Sequence, residues 1–374
     1  FRLVMNLTLS EDQVLIRDSA QKFLEVNYSF EKRINFIENK KEAFKSNWKK
    51  FSELGWLGLA FSDDIGGFDG NINNLMTLME RIGASLVLEP IIFNNIIVGK
   101  FFEQFSIENK SKYLQEIISG EKIYSLLFSP NSNYQNLISS NLKVKKTNNK
   151  EQLSGKINFI FGLNEVDYLL VPIFINNEIY VYILKKDLES LEIRNFETID
   201  NLTVSEIEFS AIDLNETNLL IKIDKETFFK KLDYIIDYAT LTMCSQALGI
   251  IDKMYELTLE YCKTREQFGK KIGVFQVIQH RLVDMYIITQ EMRSLNYMGQ
   301  LSMETEIDRK KSISLNKVFL GTHAKRMSQD CIQLHGGMGV AKEMSIGHYF
   351  ARITTFCSLF GNADYHKERY SNYD

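Results

Sequence analysis

The sequence of 374 residues has little proline and little cysteine, with three and four residues respectively. Its cysteines lie far apart and none forms a Cys-x-x-Cys pair, which excludes the usual zinc and thiol-redox motifs. We therefore expect reduced, mostly buried thiols. Residues 225–374 contain no proline, which favours long uninterrupted helices and a helix-mediated oligomer interface. The cysteines are Cys244, Cys262, Cys331 and Cys357.

Long apolar runs and an excess of positive charge are also absent. No run reaches the roughly 18 to 20 residues of a membrane-spanning helix, and no charged-then-apolar leader opens the chain. We expect a cytoplasmic protein without a membrane span, with Met5 as its natural first residue. A net charge of −4 argues against a nucleic-acid partner, because a phosphate-binding surface normally leaves a basic excess.

The residue pattern divides the chain into three zones. Apolar residues recur at helical spacing in the first and last zones, as in the stripe of Ile250, Met254 and Leu257. The middle zone has short runs rich in β-branched and aromatic residues, separated by Asn, Asp and Gly. We predict an α+β fold with an N-terminal helical domain (5–121), a small antiparallel β-barrel or sandwich (122–224) and a C-terminal four-helix bundle (225–374).

Two segments of the last zone carry the most information. The first reads Lys-Thr-Arg-Glu-Gln-Phe-Gly over residues 263–269 and continues through Gly-Val-Phe-Gln over 273–276, and the second reads Gln-Leu-His-Gly-Gly over 333–337. In order and spacing they closely resemble the C-terminal domain of the acyl-CoA dehydrogenase family. These are FAD enzymes that introduce a double bond between the α and β carbons of an acyl-CoA. The resemblance covers nearly the whole chain and implies the same order of domains.

The resemblance implies that the first segment contacts FAD. Arg265, Phe268 and Gln276 match an arginine, a phenylalanine and a glutamine that reach the FAD of a neighbouring subunit. A guanidinium suits the pyrophosphate and an aromatic face suits a ring. We expect Arg265 and Phe268 on the same side of one helix, one turn apart. Taken singly, Arg265 could instead form an ordinary surface salt bridge with Glu260 or Glu266.

The second segment resembles the family's other contact across the subunit interface. Gln333, Gly336 and Gly337 match it, and its glycines let backbone approach the adenosine diphosphate part of FAD. An ordinary turn between helices is the alternative for the two glycines. His335 and His280 could invite a metal interpretation, but lone histidines on helical faces are more often core or interface residues. No metal site is predicted.

The catalytic carboxylate that the resemblance leads one to expect is missing. The reaction needs a base that removes the α-proton, and most family members place a Glu where this chain has Gly361. Some branches place it instead at the position of Ala239, and alanine also lacks a carboxylate. Asp237 matches a substrate contact of the family, but Thr240 replaces the arginine that accompanies it. A lone acid is a weak signal, so substrate contact and plain surface decoration of the helix stay open for Asp237.

The residues expected beside the flavin ring depart from the family as well. Family members place hydroxyl side chains there, and this chain has Phe128 and Phe161 at the matching positions, where phenylalanine offers no donor. Ala363 and Tyr365 replace a Thr and a Gln that usually complete the cofactor site of the same chain. The residues that serve a neighbour's FAD are thus retained, while those that serve the chain's own flavin are mostly lost.

This contrast predicts a subunit of a heteromeric acyl-CoA dehydrogenase that completes the FAD site of a homologous catalytic partner, with an acyl-CoA as substrate and electron-transferring flavoprotein as the implied acceptor. One alternative is a self-sufficient homo-oligomeric dehydrogenase with a non-standard base, for which Asp237 and Asp364 are the candidates. Another is a non-enzymatic binding or assembly protein on the same scaffold. The acyl specificity depends on pocket shape and is not predicted.

Overall fold

The structure is a computed structural model, and it describes residues 8–68, 70–130, 141–147 and 150–373. The expected start at Met5 lies outside the described residues. The first part of the fold is helical. Ser10 and Gln13 cap the first helix reciprocally: each side chain accepts a hydrogen bond from the backbone N–H of the other, at 3.2 and 2.9 Å. The helices are α1 (Glu11–Asn27), α2 (Phe30–Glu38), α3 (Lys40–Glu53), α4 (Ile72–Ala84), α5 (Val98–Gln104) and α6 (Lys110–Ile118).

The middle part is a β-sandwich of two four-stranded sheets, in the orders β1-β4-β5-β8 and β2-β3-β7-β6. The start of β5 alternates in burial, with Ile179 and Val181 buried and their neighbours Glu178 and Tyr180 partly exposed. One prediction is corrected, because β1 runs parallel to β4 and the sandwich is not wholly antiparallel. The strands are β1 (Tyr124–Leu126), β2 (Lys143–Thr147), β3 (Lys150–Phe161), β4 (Tyr168–Ile175), β5 (Glu178–Lys185), β6 (Leu191–Glu197), β7 (Thr203–Leu214) and β8 (Leu219–Asp224).

The last part is again helical and is built around one helix of 40 residues. Its predicted apolar stripe is buried, with Ile250 and Met254 at 0% exposure. A two-stranded ribbon interrupts the helices. The elements are α7 (Lys225–Thr264), β9 (Glu266–Gln267), β10 (Lys270–Lys271), α8 (Gln276–Leu301), α9 (Glu306–Phe319), α10 (Lys325–His335), α11 (Ser345–Ser358) and α12 (Ala363–Ser371).

Glycines let α4 and α7 pack closely, and this joins the two helical parts into one core. A Cβ on Gly83 would lie 2.0 Å from the backbone oxygen of Gln246, and one on Gly249 would lie 1.8 Å from that of Glu80. No larger residue fits either position without separating the helices. The predicted order of helices, β-sandwich and helices is confirmed.

Candidate cofactor-binding site

The segment with Arg265 and Phe268 forms a hairpin at the end of α7. The helix ends at Thr264, Arg265 follows it in extended conformation, and β9 and β10 pair around a two-residue turn. Phe268 and Gly269 form that turn with φ angles of 56° and 74°, the left-handed values of a tight hairpin turn. The expectation that Arg265 and Phe268 lie on one helix is therefore wrong, because the turn ends the helical periodicity.

Both side chains of this hairpin point away from the protein. Phe268 is 93% exposed, and its ring meets the edge of Phe275 at a centroid distance of 6.4 Å. Glu260 pairs with Lys263 at 2.7 Å, and no ion pair to Arg265 is found among the described residues. The salt-bridge alternative for Arg265 is thus absent from the described part of the chain. Phe268 adopts a backbone conformation unusual for a residue other than glycine, and its ring is almost fully exposed. Packing in this chain's own core therefore does not stabilise its position.

The second predicted segment lies beside the first. Tyr261, one turn before the end of α7, stacks on His335 at 4.4 Å, next to the glycines that follow α10. Gly336 has a φ of 60°, and a Cβ on either Gly336 or Gly337 would meet nothing within 4 Å, so this backbone faces open space. Gln333 is exposed on the last turn of α10, and Gln276 is exposed at the first position of α8. Tertiary structure thus brings the two motifs to one edge of the bundle.

The ring of His335 is engaged within its own helix. Its Nδ1 lies 2.8 Å from the backbone oxygen of Cys331, and burial lowers the pKa of the imidazole. No cluster of metal-binding side chains is found among the described residues. The described helices likewise include none long and apolar enough to cross a membrane.

We call the edge of the bundle that carries residues 265–269 and 333–337 the motif edge. Exposed apolar side chains lie near it in the sequence and on α8. Val274 and Val277 precede and begin α8, and Met338 and Val340 follow the two glycines; all four are between 48% and 75% exposed. The face of α8 continues the pattern with Val283, Tyr286 and Ile287. Several exposed apolar side chains in one region are typical of an interface with another protein. The sequence analysis predicted a helix-mediated oligomer interface for residues 225–374 but did not identify these side chains.

The position expected to hold the catalytic Glu has no room for a side chain. Gly361 has a φ of 94°, and a Cβ there would lie 2.3 Å from Cδ1 of Tyr365. Tyr365 is the residue that replaces the family's Gln, and it now fills the space beside Gly361. Burial raises the pKa of the Tyr365 hydroxyl, so it offers no base at neutral pH.

Buried phenylalanines occupy the region matched to the flavin ring. Phe161 stacks on Phe93 with a centroid distance of 5.0 Å, and Phe93 lies 5.8 Å from Phe360, the neighbour of Gly361. The backbone N–H of Phe360 donates to the oxygen of Pro130 at 2.8 Å, which joins the segment after Phe128 to the same region. Phe128 and Phe161 are 4% and 5% exposed. The two phenylalanines predicted from separate segments therefore flank one site, and Phe93 is an additional member that no motif indicated.

Asp237 is buried and bonded to two arginines. It is 0% exposed, and its two oxygens accept hydrogen bonds from Arg309 and Arg369 at 2.7 to 2.9 Å. Asp233 joins the cluster through Arg369 at 3.2 Å. Asp237 is therefore part of a buried ion-pair cluster, and a contact with substrate would require one arginine to move away.

The other candidate positions for a base lie in different environments. Asp364 pairs with Lys367 at 3.0 Å on the surface, where its side chain is 85% exposed. Ala239 is fully buried on α7, and Thr240 donates its hydroxyl to the backbone oxygen of Ile236 at 2.6 Å. A general base needs a tuned pKa; Asp364 is solvated and Asp237 has both oxygens bonded to arginines.

A buried lysine and a buried histidine hold the turn that carries Gly361. Lys317 donates to the backbone oxygens of Phe356 and Leu359 at 2.7 and 2.8 Å, and burial lowers its pKa to about 8. Nε2 of His366 lies 2.9 Å from the oxygen of Phe360, and burial lowers the pKa of this imidazole as well. The position of Lys317 in the sequence gave no signal of this role, because α9 reaches the turn only in the folded bundle.

Comparison with known proteins agrees with this fold and these motifs. Residues 10–121 match the family model "Acyl-CoA dehydrogenase, N-terminal domain", and residues 232–371 match "Acyl-CoA dehydrogenase, C-terminal domain". The chain belongs to the acyl-CoA dehydrogenase family. It is thereby a member of a family of flavoprotein oxidoreductases whose cofactor is FAD.

Individual relatives are distant but cover almost the whole chain. The mitochondrial isovaleryl-CoA dehydrogenase of Pongo abelii is 24% identical over 356 residues, which cover 91% of this chain and 83% of the relative. The structure titled "Crystal structure of the ChsE4-ChsE5 complex from Mycobacterium tuberculosis" has a TM-score of 0.85 at 18% identity, with 98% of each chain covered. That titled "FAD complex of PigA" has a TM-score of 0.85 at 20% identity, with 98% of each covered. The predicted cytoplasmic location stays a prediction, since such relatives include mitochondrial enzymes.

The chain's two candidate regions differ in how well they suit FAD. The motif edge offers an exposed guanidinium, an exposed aromatic ring and open glycine backbone, which are the groups that a pyrophosphate and flat rings require. The region around Gly361 offers phenylalanine rings where the flavin's polar edge needs hydrogen-bond donors and acceptors.

Proposed function

We propose that this chain is a subunit of a heteromeric acyl-CoA dehydrogenase that completes an FAD site held chiefly by a homologous catalytic partner. The observation that carries the proposal is the stack of Phe93, Phe161 and Phe360, which places side chains that cannot hydrogen-bond where the resemblance puts the chain's own flavin ring. The substrate would be an acyl-CoA. The partner would supply the base, and electron-transferring flavoprotein would accept the electrons.

Each retained residue has a separate task in this proposal. Arg265 would donate to the pyrophosphate of the partner's FAD, and Phe268 would cover one of its rings. Gln276 and Gln333 would donate from their amides, and Gly336 and Gly337 would let backbone N–H groups approach the adenosine diphosphate part. FAD, when bound, supplies the acceptor for the hydride that leaves the β-carbon. This chain's own residues bind and orient the cofactor and exclude water from it.

The exposed apolar surface around the motif edge supports the proposed partner. Phe268, Val277 and Val340 would lose contact with water in an interface with a second chain, which stabilises association by roughly 25 cal/mol per Å² of apolar surface. A second copy of this chain would cover the same surface but would bring a second phenylalanine-filled region. A catalytic homologue would bring a region able to hold the flavin.

The test compares the chain alone with the chain co-expressed with a homologous acyl-CoA dehydrogenase chain from the same genome. We expect little bound flavin and no acyl-CoA oxidation from the isolated chain. The complex should carry FAD at half of its chains and oxidise an acyl-CoA with an artificial electron acceptor. One FAD per isolated chain together with acyl-CoA turnover would overturn the proposal in favour of a self-sufficient homo-oligomer.

Variants then test whether this chain touches the cofactor. In the complex, Arg265→Ala should weaken FAD binding roughly 10- to 100-fold, because a charge-assisted hydrogen bond contributes about 1.5–3 kcal/mol. Phe268→Ala should weaken it less. Lys253→Ala is the matched control, since Lys253 is partly exposed on the same helix and its one ion pair in the described part of the chain is with Glu256 at 3.0 Å. FAD affinity unchanged by Arg265→Ala would favour an assembly protein on this scaffold.

A further inference from the structure

A cavity of about 240 Å³ lies where α1, α4 and α8 meet. The described residues that line it include none of the motif edge and none of the region around Phe93, Phe161 and Phe360. It is therefore separate from the proposed FAD contact and from the chain's own flavin region. Its volume lies below the about 300–1,000 Å³ of pockets for drug-sized ligands, which favours a smaller molecule.

One carboxylate oxygen in the wall of this cavity is free to accept a hydrogen bond. Glu80 lines the cavity, and 18% of its side chain is exposed. Its Oε2 accepts a hydrogen bond from Nη1 of Arg293 at 3.1 Å, whereas no described residue donates to its Oε1. Burial raises the pKa of Glu80, because the ionised form loses hydration. A cation beside Oε1 would compensate for that loss.

A guanidinium without a hydrogen bond lies beside this carboxylate. Arg81 also lines the cavity, and 20% of its side chain is exposed. Its Nη2 lies 3.9 Å from Oε2 of Glu80, which is too far for a hydrogen bond. Its Nε is buried and has no partner in the described part of the chain, so the two Nη atoms are the donors that can reach a ligand.

Two neutral side chains of α8 add further hydrogen-bonding groups to the lining. Gln300 is only 9% exposed, and the described residues supply no partner for its side-chain amide. The hydroxyl of Tyr297 likewise has no partner among them, and burial together with the nearby Glu80 raises its pKa, so it is a neutral donor. A buried amide needs a hydrogen-bonding partner, which a polar molecule in the cavity would supply.

The lining arginines and the carboxylates nearest to them are equal in number. Arg293 donates to both Glu80 and Asp252 at 3.1 Å. Glu80 would repel an anion that carries no positive group, and Arg81 would repel a cation that carries no negative group. A zwitterion carries both charges and leaves the balance unchanged. The charged groups are Arg17, Arg81 and Arg293 against Asp18, Glu80 and Asp252.

We propose that this cavity binds a free α-amino acid, with its carboxylate on the Nη atoms of Arg81 and its ammonium on Oε1 of Glu80. A guanidinium matches the planar geometry of a carboxylate. One carbon separates the two charged groups of an α-amino acid, which suits a guanidinium and a carboxylate that lie 3.9 Å apart. The amide of Gln300 adds a hydrogen bond, and Leu9 and Met76 offer apolar contact to the ligand's side chain. The ligand would join α4 to α8, and this role goes beyond the proposed dehydrogenase function.

Calorimetric titration of the purified chain with L-leucine and L-glutamine tests the proposal, since the two differ in side-chain polarity. We expect at least one of them to bind. Analogues with a single charge are the matched ligands: 4-methylpentanoate and 3-methylbutylamine for leucine, and 4-carbamoylbutanoate and 4-aminobutanamide for glutamine. They should bind roughly tenfold or more weakly than the amino acid, because each leaves Arg81 or Glu80 without its counter-charge. An analogue that binds as tightly as the amino acid would overturn the proposal, and so would the absence of binding by both amino acids.

Three variants locate the binding to the cavity. Arg81→Gln should weaken the affinity for the amino acid roughly 10- to 100-fold, because it removes a charge-assisted hydrogen bond. Tyr297→Phe keeps the ring in the wall and should weaken binding several-fold. Arg326→Gln changes an exposed arginine of α10 outside the described lining, so this control should leave the affinity unchanged.

Circular dichroism establishes that each variant is folded, and if one of the two lining variants does not fold, the other decides. Wild-type affinity in the folded lining variants would place the amino acid elsewhere and refute the assignment.

Discussion

Gly361→Ala should destabilise the protein through a clash, and this perturbation tests why the expected catalytic Glu is absent. The added Cβ would lie 2.3 Å from Cδ1 of Tyr365 and 3.1 Å from Nε2 of His366, at a φ of 94°. Left-handed backbone costs a non-glycine residue about 1–3 kcal/mol, and forcing a methyl group into a packed site costs about 1–3 kcal/mol more. We therefore expect a loss of about 2–6 kcal/mol in the free energy of unfolding.

Gly66→Ala separates the two contributions. Gly66 has a φ of 89°, close to that of Gly361, but a Cβ there would meet nothing within 4 Å. It should therefore show only the backbone cost. Unfolding entropy of about 2.1 cal/mol/K per residue means that 1 kcal/mol shifts the Tm of a chain this long by about 1.3 °C. Calorimetry should thus place the Tm of Gly361→Ala about 1–4 °C below that of Gly66→Ala.

Tyr365 decides the interpretation of that difference. In a Tyr365→Ala background the clashing ring atom is gone, so the added cost of Gly361→Ala should fall to that of Gly66→Ala. If Gly361→Ala costs no more than Gly66→Ala in the wild-type background, the reasoning is refuted and the site has room for a Glu. Gly361→Glu would then be expected to fold as stably as Gly66→Ala.

The remaining predictions concern buried charges. Asp237→Asn should lower the free energy of unfolding by about 3–5 kcal/mol, because it removes the carboxylate nearest to Arg309 and Arg369 and leaves these buried cations only Asp233. Asp364→Asn on the surface should change it by less than about 1 kcal/mol, and similar denaturant midpoints for the two variants would contradict the buried cluster. Lys317 has a pKa of about 8 when folded against its ordinary 10.5, so between these values the unfolded state binds more protons and stability rises with pH. Relative to Lys317→Met, the free energy of unfolding of the wild type should rise by about 2 kcal/mol between pH 7 and pH 9.5. A difference between the two proteins that does not change with pH would show that burial does not lower the pKa of Lys317.

The motif edge shows where sequence reasoning succeeded and where it stopped. Arg265, Phe268 and Gly336 were selected by resemblance to the family's motifs, which depend only on the identity, order and spacing of residues along the chain. The conformation of Phe268 was missed, since the helical pattern of α7 gives no sign of the hairpin that follows Thr264. The contact of these residues with FAD remains a prediction, as do the domain boundaries at 121/122 and 224/225.

The sequence by itself determined the family, the order of helices and strands, and the absence of a carboxylate at positions 239 and 361. These follow from residue identity and short-range periodicity, which need no knowledge of distant contacts. Only the tertiary structure decided that Phe93 joins Phe161 and Phe360 in one stack, that Asp237 is held by two arginines, and that Lys317 binds the turn before Gly361. Each of these depends on side chains brought together from segments far apart in the chain, and packing and desolvation act on such neighbours whatever their distance in sequence.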